Sequence, residues 1–192
     1  MTDALDLLER LDHELWIVTA RLGQRTGGLV ATFVNSASIA PEFPRVFVGL
    51  AKQHATWELV EGSGTFGLHL IEEAHVQWVW RFGLQSGRDT NKLEGLAWHE
   101  GASGSPLLDD ALGWLDCRVE SRMDTGDRTI YLAEVLAARA KGTGPVLTVE
   151  TMLQLATPEQ RQEMKRQRLA DGRIDAERIR AWRARNTSQS RE

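Results

Sequence analysis

The sequence predicts a mainly β, antiparallel fold with short inserted helices and a helical C-terminal tail. Residues 14–148 contain repeated short runs of β-branched and aromatic residues, separated by glycine, proline and aspartate, which is typical of strands joined by turns. From Thr157 onward, charged residues and a helix-start signal replace this pattern. We therefore divide the chain into an N-terminal helix (1–13), a β domain (14–148) and a helical tail (149–192).

The β domain contains six predicted strands. The glycine-rich stretch 22–28 is expected to connect the first two strands, and the turn residues of 124–127 are expected to connect the last two. The strands are predicted at 14–20, 29–34, 45–51 and 65–71 and, on either side of the last turn, within 113–138.

Three short helices are predicted before the tail. Asp3 can cap the first one, in which the leucines at positions 7, 8 and 11 form an apolar stripe. The others lie at 55–60, where Gly62 provides a stop, and at about 73–82. Residues 93–106 contain three glycines and are predicted to be irregular.

The tail is predicted to form two helices. Thr157 is suited to the N-cap of the first, with proline next and Gln160 at the third helical position. This helix is expected to stop near Gly172, and Asp175 is expected to cap a second one. The pair has too little apolar surface to fold alone, so we expect it to pack on the β domain or on a partner subunit.

Composition indicates a soluble globular protein. Of the 192 residues, 42% are hydrophobic and 26% are charged. No apolar run approaches the ~20 residues that span a bilayer, so no membrane association is expected. The acidic, amphipathic N-terminus does not resemble a signal peptide, which favours a cytoplasmic location. The single cysteine, Cys117, lies in an alternating strand pattern and is predicted to be a core residue.

Charge is unevenly distributed along the chain. The net charge is −4, but residues 158–192 hold ten Lys and Arg against six Asp and Glu, so residues 1–157 carry −8. An acidic body repels nucleic acid, and the charges of the tail alternate as on a solvated helix, so no nucleic-acid partner is expected. A phosphate-bearing ligand must therefore meet a locally positive site.

Two polar segments are candidates for ligand binding. In the first, the strand ending near Ala31 runs into Thr32, Asn35 and Ser36, whose short side chains suit the edge of a planar heterocycle or a phosphate; an ordinary polar loop is the alternative. In the second, a strand ends and a helix begins within residues 51–57. There the unpaired N–H groups of the helix start could converge on an anion with nearby polar side chains, unless His54 or Thr56 merely caps the helix.

Several short motifs follow one another over residues 14–148. They include a strand ending in Val-Thr-Ala, a Gly-Gly turn, a small polar stretch, a Lys-x-x-x-Thr segment and a Gly-Asp turn between two long strands. In this chain they are Val18-Thr19-Ala20, Gly27-Gly28, 31–38, Lys52-Gln53-His54-Ala55-Thr56, Gly64-Thr65-Phe66, Asn91-Lys92-Leu93, Gly104-Ser105-Pro106-Leu107-Leu108, Cys117-Arg118-Val119 and Gly126-Asp127-Arg128. Read in this order, they resemble the flavin reductase family of the FMN-binding split barrel.

The resemblance implies an antiparallel, Greek-key split barrel that binds FMN rather than FAD and acts as an NAD(P)H-dependent flavin reductase. It implies a homodimer with each flavin site near the subunit interface, and an electron acceptor such as a monooxygenase or ferric iron. An FMN-binding electron carrier, or a flavin-binding module without efficient NAD(P)H turnover, is the alternative. The implied cofactor-binding residues are Thr32, Val34, Asn35 and Ser36 for the ring and ribityl chain, Ala51, Lys52, His54 and Thr56 for the phosphate, and Phe82 beside the ring.

Three departures from the family pattern bear on function. Arg128 stands where the family has a histidine, so a cation that can contact nicotinamide is kept but proton exchange near neutrality is lost. His54 replaces a serine, so phosphate affinity should weaken as its imidazole loses a proton above a pKa of ~6.5. The segment 40–44 differs from the Asp-Pro-Pro common in the family, which reshapes the loop expected beside the flavin.

Other enzyme classes lack their signatures. The five histidines show no HxH or HExxH spacing, so no metal site is expected. No Gly-x-Ser-x-Gly motif supports a serine hydrolase, and no GxGxxG follows the first strand to support a Rossmann oxidoreductase.

Overall fold

A seven-stranded antiparallel sheet is the central element of the computed structural model, which describes residues 2–88 and 90–189. The ends of the predicted N-terminal helix and tail, at Met1 and 190–192, lie outside this range. The sheet order is β2-β1-β5-β8-β9-β4-β3, and β6 and β7 form a separate hairpin. The strands are β1 (Trp16–Leu22), β2 (Arg25–Ala31), β3 (Val34–Ser36), β4 (Arg45–Ala51), β5 (Thr65–Leu70), β6 (Trp98–Glu100), β7 (Pro106–Leu108), β8 (Gly113–Asp124) and β9 (Arg128–Ala140).

Short helices interrupt the strands, and one long helix ends the chain, so the predicted mainly β class with inserted helices and a helical tail is confirmed. The helices are α1 (Thr2–Leu8), α2 (Ala55–Ser63), a 3-10 turn (Glu73–His75) leading into α3 (Val76–Leu84), α4 (Val149–Leu155) and α5 (Pro158–Gln189).

The hydrophobic core has two parts. One is enclosed by the sheet and α2 and includes Val18, Phe66 and Tyr131, all at most 1% exposed. The other lies under α3 and α4 and includes Phe82 and Leu147. Successive side chains of a strand point to opposite faces, so Val18 of β1 packs in the first part of the core and Ile17 in the second. The centre of the sheet is therefore buried on both faces.

The first hairpin is tighter than the sequence predicts. The turn needs only Gly23 and Gln24, with Gly23 at φ 60°, so β2 begins at Arg25. Gly27 and Gly28 therefore lie in a strand and not in a connection. Gly28 serves close packing there, because a Cβ on it would lie 2.6 Å from Cε1 of Phe82 and 2.8 Å from the Val18 carbonyl oxygen.

Residues 158–192 were predicted to form two helices with a break near Gly172, and this is wrong, because α5 is continuous through Gly172. A single glycine costs a helix roughly 1 kcal/mol, which the helix-forming residues around it offset. Asp175 does not cap a helix. Its carboxylate accepts hydrogen bonds from Arg128 (2.9 Å) and Gln53 (3.2 Å), so a contact with the barrel replaces the local cap.

Three smaller expectations have mixed outcomes. Asp3 lies in the first turn of α1 and does not precede it, and the leucines at 7, 8 and 11 are all more than half exposed. Residues 93–106 are not wholly irregular, since they contain β6. Cys117 is buried as predicted, and burial raises the pKa of its thiol far above the usual range. Within the described residues, no helix is long and apolar enough to cross a membrane.

Candidate functional site

Three of the predicted site residues come together at one pocket. His54, Thr56 and Phe82 line a cavity of about 480 Å³ between the start of α2, the end of α3 and strand β2. Arg88 and Lys92 from the following loop also line it. On its outer side α5 contributes Gln167, Ala170 and Asp171.

The start of α2 gives this pocket a positive character. His54 precedes the helix in an extended conformation, and the N–H of Trp57 donates to its carbonyl oxygen (3.0 Å). Among the described residues, no side chain accepts a hydrogen bond from the N–H groups of Ala55 and Thr56. These groups, together with the helix dipole, favour an anion at this position. Thr56 in the first turn is 2% exposed and adds a hydroxyl group to the pocket.

His54 contributes as a neutral imidazole near neutral pH. Its pKa is lowered mainly by burial, and the charges of Lys92 and Arg128 lower it further. The carboxylates of Asp171 and Asp175 oppose this shift. The pH dependence expected from an unperturbed histidine therefore moves to lower pH, and near neutrality His54 can donate one hydrogen bond without carrying charge.

Lys92 is a pocket residue that the sequence did not single out as a ligand. Its Nζ donates to the carbonyl oxygens of Phe82 (2.7 Å) and Gly28 (3.1 Å), and burial lowers its pKa to about 8. Arg88 is held by Glu58 (2.7 Å) and by the Gln53 carbonyl (3.1 Å). The available signal was the Asn91-Lys92-Leu93 motif, but a motif does not show which way a loop lysine points.

The polar segment after β2 lies elsewhere. Thr32 follows β2, and Val34, Asn35 and Ser36 form β3, which pairs only with β4 at the edge of the sheet. Asn35 and Ser36 are exposed. None of these four residues lines the pocket at His54. They present an edge with unpaired backbone groups instead.

Arg128 and Lys52 form a third region, near the end of β4. Ala51 is the register partner of Arg128. The guanidinium of Arg128 is paired with Asp127 (2.5 Å) and Asp175 (2.9 Å) and lies 4.6 Å from the ring centroid of Phe33. Lys52 is not near His54 and Thr56 in the same pocket. Its Nζ pairs with Asp124 at 2.6 Å, on the side facing the β8–β9 turn.

The site as a whole is suited to binding an anion. The pocket at His54 offers cations, a helix start and a buried hydroxyl, which together fit a phosphate group. Within residues 2–88 and 90–189, no group of three or more His, Cys, Asp or Glu side chains could hold a metal ion. Such a pocket on an antiparallel sheet is suited to a phosphate-bearing cofactor, which would itself carry the chemistry.

Comparison with known proteins defines the family. The Flavin reductase like domain family matches residues 8–152, so this chain belongs to that family of flavoprotein oxidoreductases. Diflavin flavoprotein A 1 of Synechocystis sp. is 33% identical over 147 residues, which are 74% of this chain and 25% of that protein. The ferric-chelate reductase (NAD(P)H) of Archaeoglobus fulgidus is 28% identical over 141 residues, covering 72% of this chain and 82% of that one. The chain thus spans about a quarter of the diflavin flavoprotein.

Solved structures share the fold. A flavin reductase domain protein from Arthrobacter sp. FB24 superposes with a TM-score of 0.69 at 22% identity, covering 79% of this chain and 92% of that one. An FMN-binding protein from Thermus thermophilus superposes with a TM-score of 0.63 at 20% identity, covering 68% and 73% of the two chains. The fold expected from the resemblance is therefore confirmed. The matched region ends before α5, which begins at Pro158.

Proposed function

We propose that this protein binds FMN and reduces flavin with electrons from NAD(P)H, which it passes to an acceptor such as a monooxygenase component or ferric iron. The observation that carries the proposal is the convergence of His54, Thr56 and Phe82 with Lys92 at the uncapped start of α2. All of these residues lie within the part of the chain that matches the family.

The phosphate of FMN fits the pocket at His54. The N–H groups at the start of α2 and the Thr56 hydroxyl can donate hydrogen bonds, and Lys92 supplies positive charge. Lys92 also ties β2 to the end of α3 through its two carbonyl bonds, so the wall that carries Phe82 is held in place. Gly28 lets Phe82 approach β2, which brings its ring to the pocket.

The ring of FMN fits the continuation of β2. Gly28 and Val30 line the pocket. Because side chains alternate along an extended chain, Thr32 lies on the same face as Val30, ~6–7 Å further along. Val30 and Thr32 are both partly exposed, whereas Leu29 and Ala31 are buried. The edge strand β3, with Val34, Asn35 and Ser36, then offers the polar groups that the rim of a planar heterocycle requires.

When bound, FMN supplies the capacity to accept a hydride from nicotinamide and to transfer electrons onward. The protein residues orient the two partners and exclude water, and no protein base is required. Phe33, beside Arg128 and 58% exposed, is suited to contact an aromatic ring on this face.

We propose that the site is completed in a homodimer. The segment around β3 exposes several large apolar side chains next to the polar ring-binding residues, and such a patch marks an interface more often than a free surface. These side chains are Phe33, Ile39, Phe43 and Phe47.

The alternative is an FMN-binding electron carrier or binding module without efficient NAD(P)H turnover. The ion pairs of Arg128 favour the carrier or binding module, since the guanidinium is already paired with Asp127 and Asp175. The residue that could replace the family's histidine beside nicotinamide is thus engaged in holding α5. The match to a quarter of a diflavin flavoprotein also fits a domain that works inside a longer flavoprotein.

The test is a visible spectrum of the purified protein titrated with FMN, followed by anaerobic NADPH or NADH. A reductase shows bound-flavin absorbance that bleaches rapidly with a nucleotide and returns in air. Binding without bleaching supports the carrier, and no binding contradicts both functions. Thr56→Val should weaken FMN binding about tenfold through the loss of one hydrogen bond to a charged group, whereas Lys141→Met, on the surface, should leave it unchanged.

A further inference from the structure

A second cavity lies between the β8–β9 turn and α5, outside the pocket assigned to FMN. Its volume is about 270 Å³. Two of its walls come from the barrel and one from α5, which lies beyond the family-matched region. The lining residues are Lys52, Trp57, Gly126, Arg178, Ala181 and Arg185.

Gly126 sets how closely α5 approaches the turn. It has φ 96°, a conformation that favours glycine. A Cβ at this position would lie 2.7 Å from Cβ of Trp182 and 3.1 Å from the Arg178 carbonyl oxygen, both on α5. Only glycine therefore allows the helix to rest on the turn, and this contact brings the arginines of α5 over Lys52.

Positive charge is in excess in this cavity. Lys52 is paired with Asp124 at 2.6 Å, but neither Arg178 nor Arg185 forms an ion pair with any residue in the described ranges. Burial acts to raise the pKa of Asp124, yet the Lys52 hydrogen bond, the Gly126 amide and the charges of Lys52 and Arg185 lower it. Three cations facing one carboxylate leave about two uncompensated positive charges on a protein of net charge −4.

Arg178 is also left incompletely bonded. Its Nη1 is buried and has no hydrogen-bond partner among the described residues. A buried charged donor without an acceptor is costly, so such atoms usually point to a ligand or a functional role. Arg178 also lines the cavity, so an anion there would lie close to this guanidinium. The indole of Trp57, held by its Nε1 hydrogen bond to Thr129 (2.9 Å), forms an apolar wall that strengthens charge attraction.

We propose that this cavity binds a phosphate dianion, through Arg178 and Arg185 of α5 and Lys52 of the barrel. A dianion matches the excess of two charges, and the planar arginine fork suits phosphate oxygens. FMN carries such a group as well, but its phosphate is assigned to the pocket at His54, so two sources remain: the 2′-phosphate of NADPH and free inorganic phosphate. The first source rests on the proposed function and makes α5 the element that selects NADPH over NADH.

The test measures the affinities of three full-length proteins for NADP⁺, NAD⁺, inorganic phosphate and FMN by isothermal titration calorimetry. They are the wild type, the double variant R178Q/R185Q and the control R180Q/R183Q, which removes the same charge from α5 at positions that do not line the cavity. Binding of the oxidised nucleotides requires no turnover.

If the 2′-phosphate is the ligand, the wild type and control bind NADP⁺ at least about tenfold more tightly than NAD⁺, and R178Q/R185Q loses this preference while keeping its FMN affinity. If free phosphate is the ligand, NADP⁺ and NAD⁺ bind alike, and R178Q/R185Q alone loses inorganic phosphate. The proposal is overturned if neither NADP⁺ nor phosphate binding separates R178Q/R185Q from the wild type. A protein without NAD(P)H turnover whose phosphate binding still depends on these arginines would contradict the proposed function but not this site.

Discussion

The pocket at His54 and the helix α5 that borders it are built on different principles. The pocket is part of the barrel's core: Phe82, Thr56 and Lys92 are 1%, 2% and 5% exposed. α5 is mostly polar, with 14 of its 32 residues charged, and its Leu169 and Ile174 are exposed. It is held to the barrel by the Asp175 pairs, by Gln167 on the Leu84 carbonyl (3.3 Å), by contact at Gly126 and by Met164, which packs against the second part of the core.

The barrel core therefore maintains the shape of the pocket, whereas α5 can adjust which ligand binds there. Apolar burial keeps the pocket in one arrangement, because tightly packed cores resist small displacements. Ion pairs and hydrogen bonds at a solvated surface contribute less and respond to salt. We therefore expect substitutions in the barrel to affect folding and cofactor binding together, and substitutions in α5 to affect ligand choice with little effect on folding.

The largest contrast is expected between the barrel core and the surface of α5. Phe66→Ala should lower the free energy of unfolding by about 3–5 kcal/mol, because it leaves a cavity beside a fully buried strand. Leu169→Ala, at a side chain 58% exposed, should change it by no more than about 0.5 kcal/mol. Urea unfolding followed by circular dichroism measures both. Similar losses would mean that α5 is part of the cooperative core.

Glycine substitutions sharpen the same comparison. Gly28→Ala should destabilise the protein by about 1–3 kcal/mol and weaken FMN binding, because the new Cβ collides with Phe82 and the Val18 carbonyl. Gly172→Ala meets no atom within 4 Å and should stabilise α5 by about 0.5–1 kcal/mol. Thermal unfolding with and without FMN gives both values. A neutral Gly28→Ala variant would show that β2 and Phe82 can separate without cost.

The docking of α5 should depend on Asp175. Asp175→Asn should weaken its attachment by about 1–2 kcal/mol, because the hydrogen bond to Arg128 loses its charge. Cleavage of α5 by trypsin should become faster and more sensitive to salt. Glu177→Gln removes an exposed carboxylate of the same helix that forms no ion pair among the described residues, so it is the matched control and should leave the rate unchanged. Equal rates for the two variants would argue that apolar contacts hold the helix.

The smallest effect is the pH dependence that Lys92 imposes. Its pKa of about 8 is below the usual 10.5, so between these values the unfolded chain holds a proton that the native state lacks, and stability rises with pH. Phosphate binding requires the ammonium, so FMN affinity should fall above about pH 8. Lys92→Arg should remove this fall, because arginine remains charged. An FMN affinity that declines equally in both proteins would exclude Lys92 as the phosphate cation.

Local signals were enough for the β pattern and for part of the site. The runs of β-branched residues predicted most strands, and the strand-to-helix change at 51–57 correctly indicated the start of α2. The hairpin start at Arg25 was missed because Gly27 and Gly28 are turn residues in isolation, and only their contact with α2 and α3 explains them as strand residues. All the roles assigned to site residues stay predictions: those of Thr32, Val34, Asn35, Ser36, Ala51, Lys52, His54, Thr56, Phe82 and Arg128.

The sequence alone determined the class of fold and the segments from which the site is built, because side-chain periodicity and helix-start signals depend on neighbours within a few residues. Only the tertiary structure decided which of these residues meet. It placed His54 and Thr56 with Lys92, turned Lys52 toward Asp124 and Arg178, and made α5 continuous so that Asp175 reaches Arg128. These contacts join residues distant along the chain, and no local pattern records such distances.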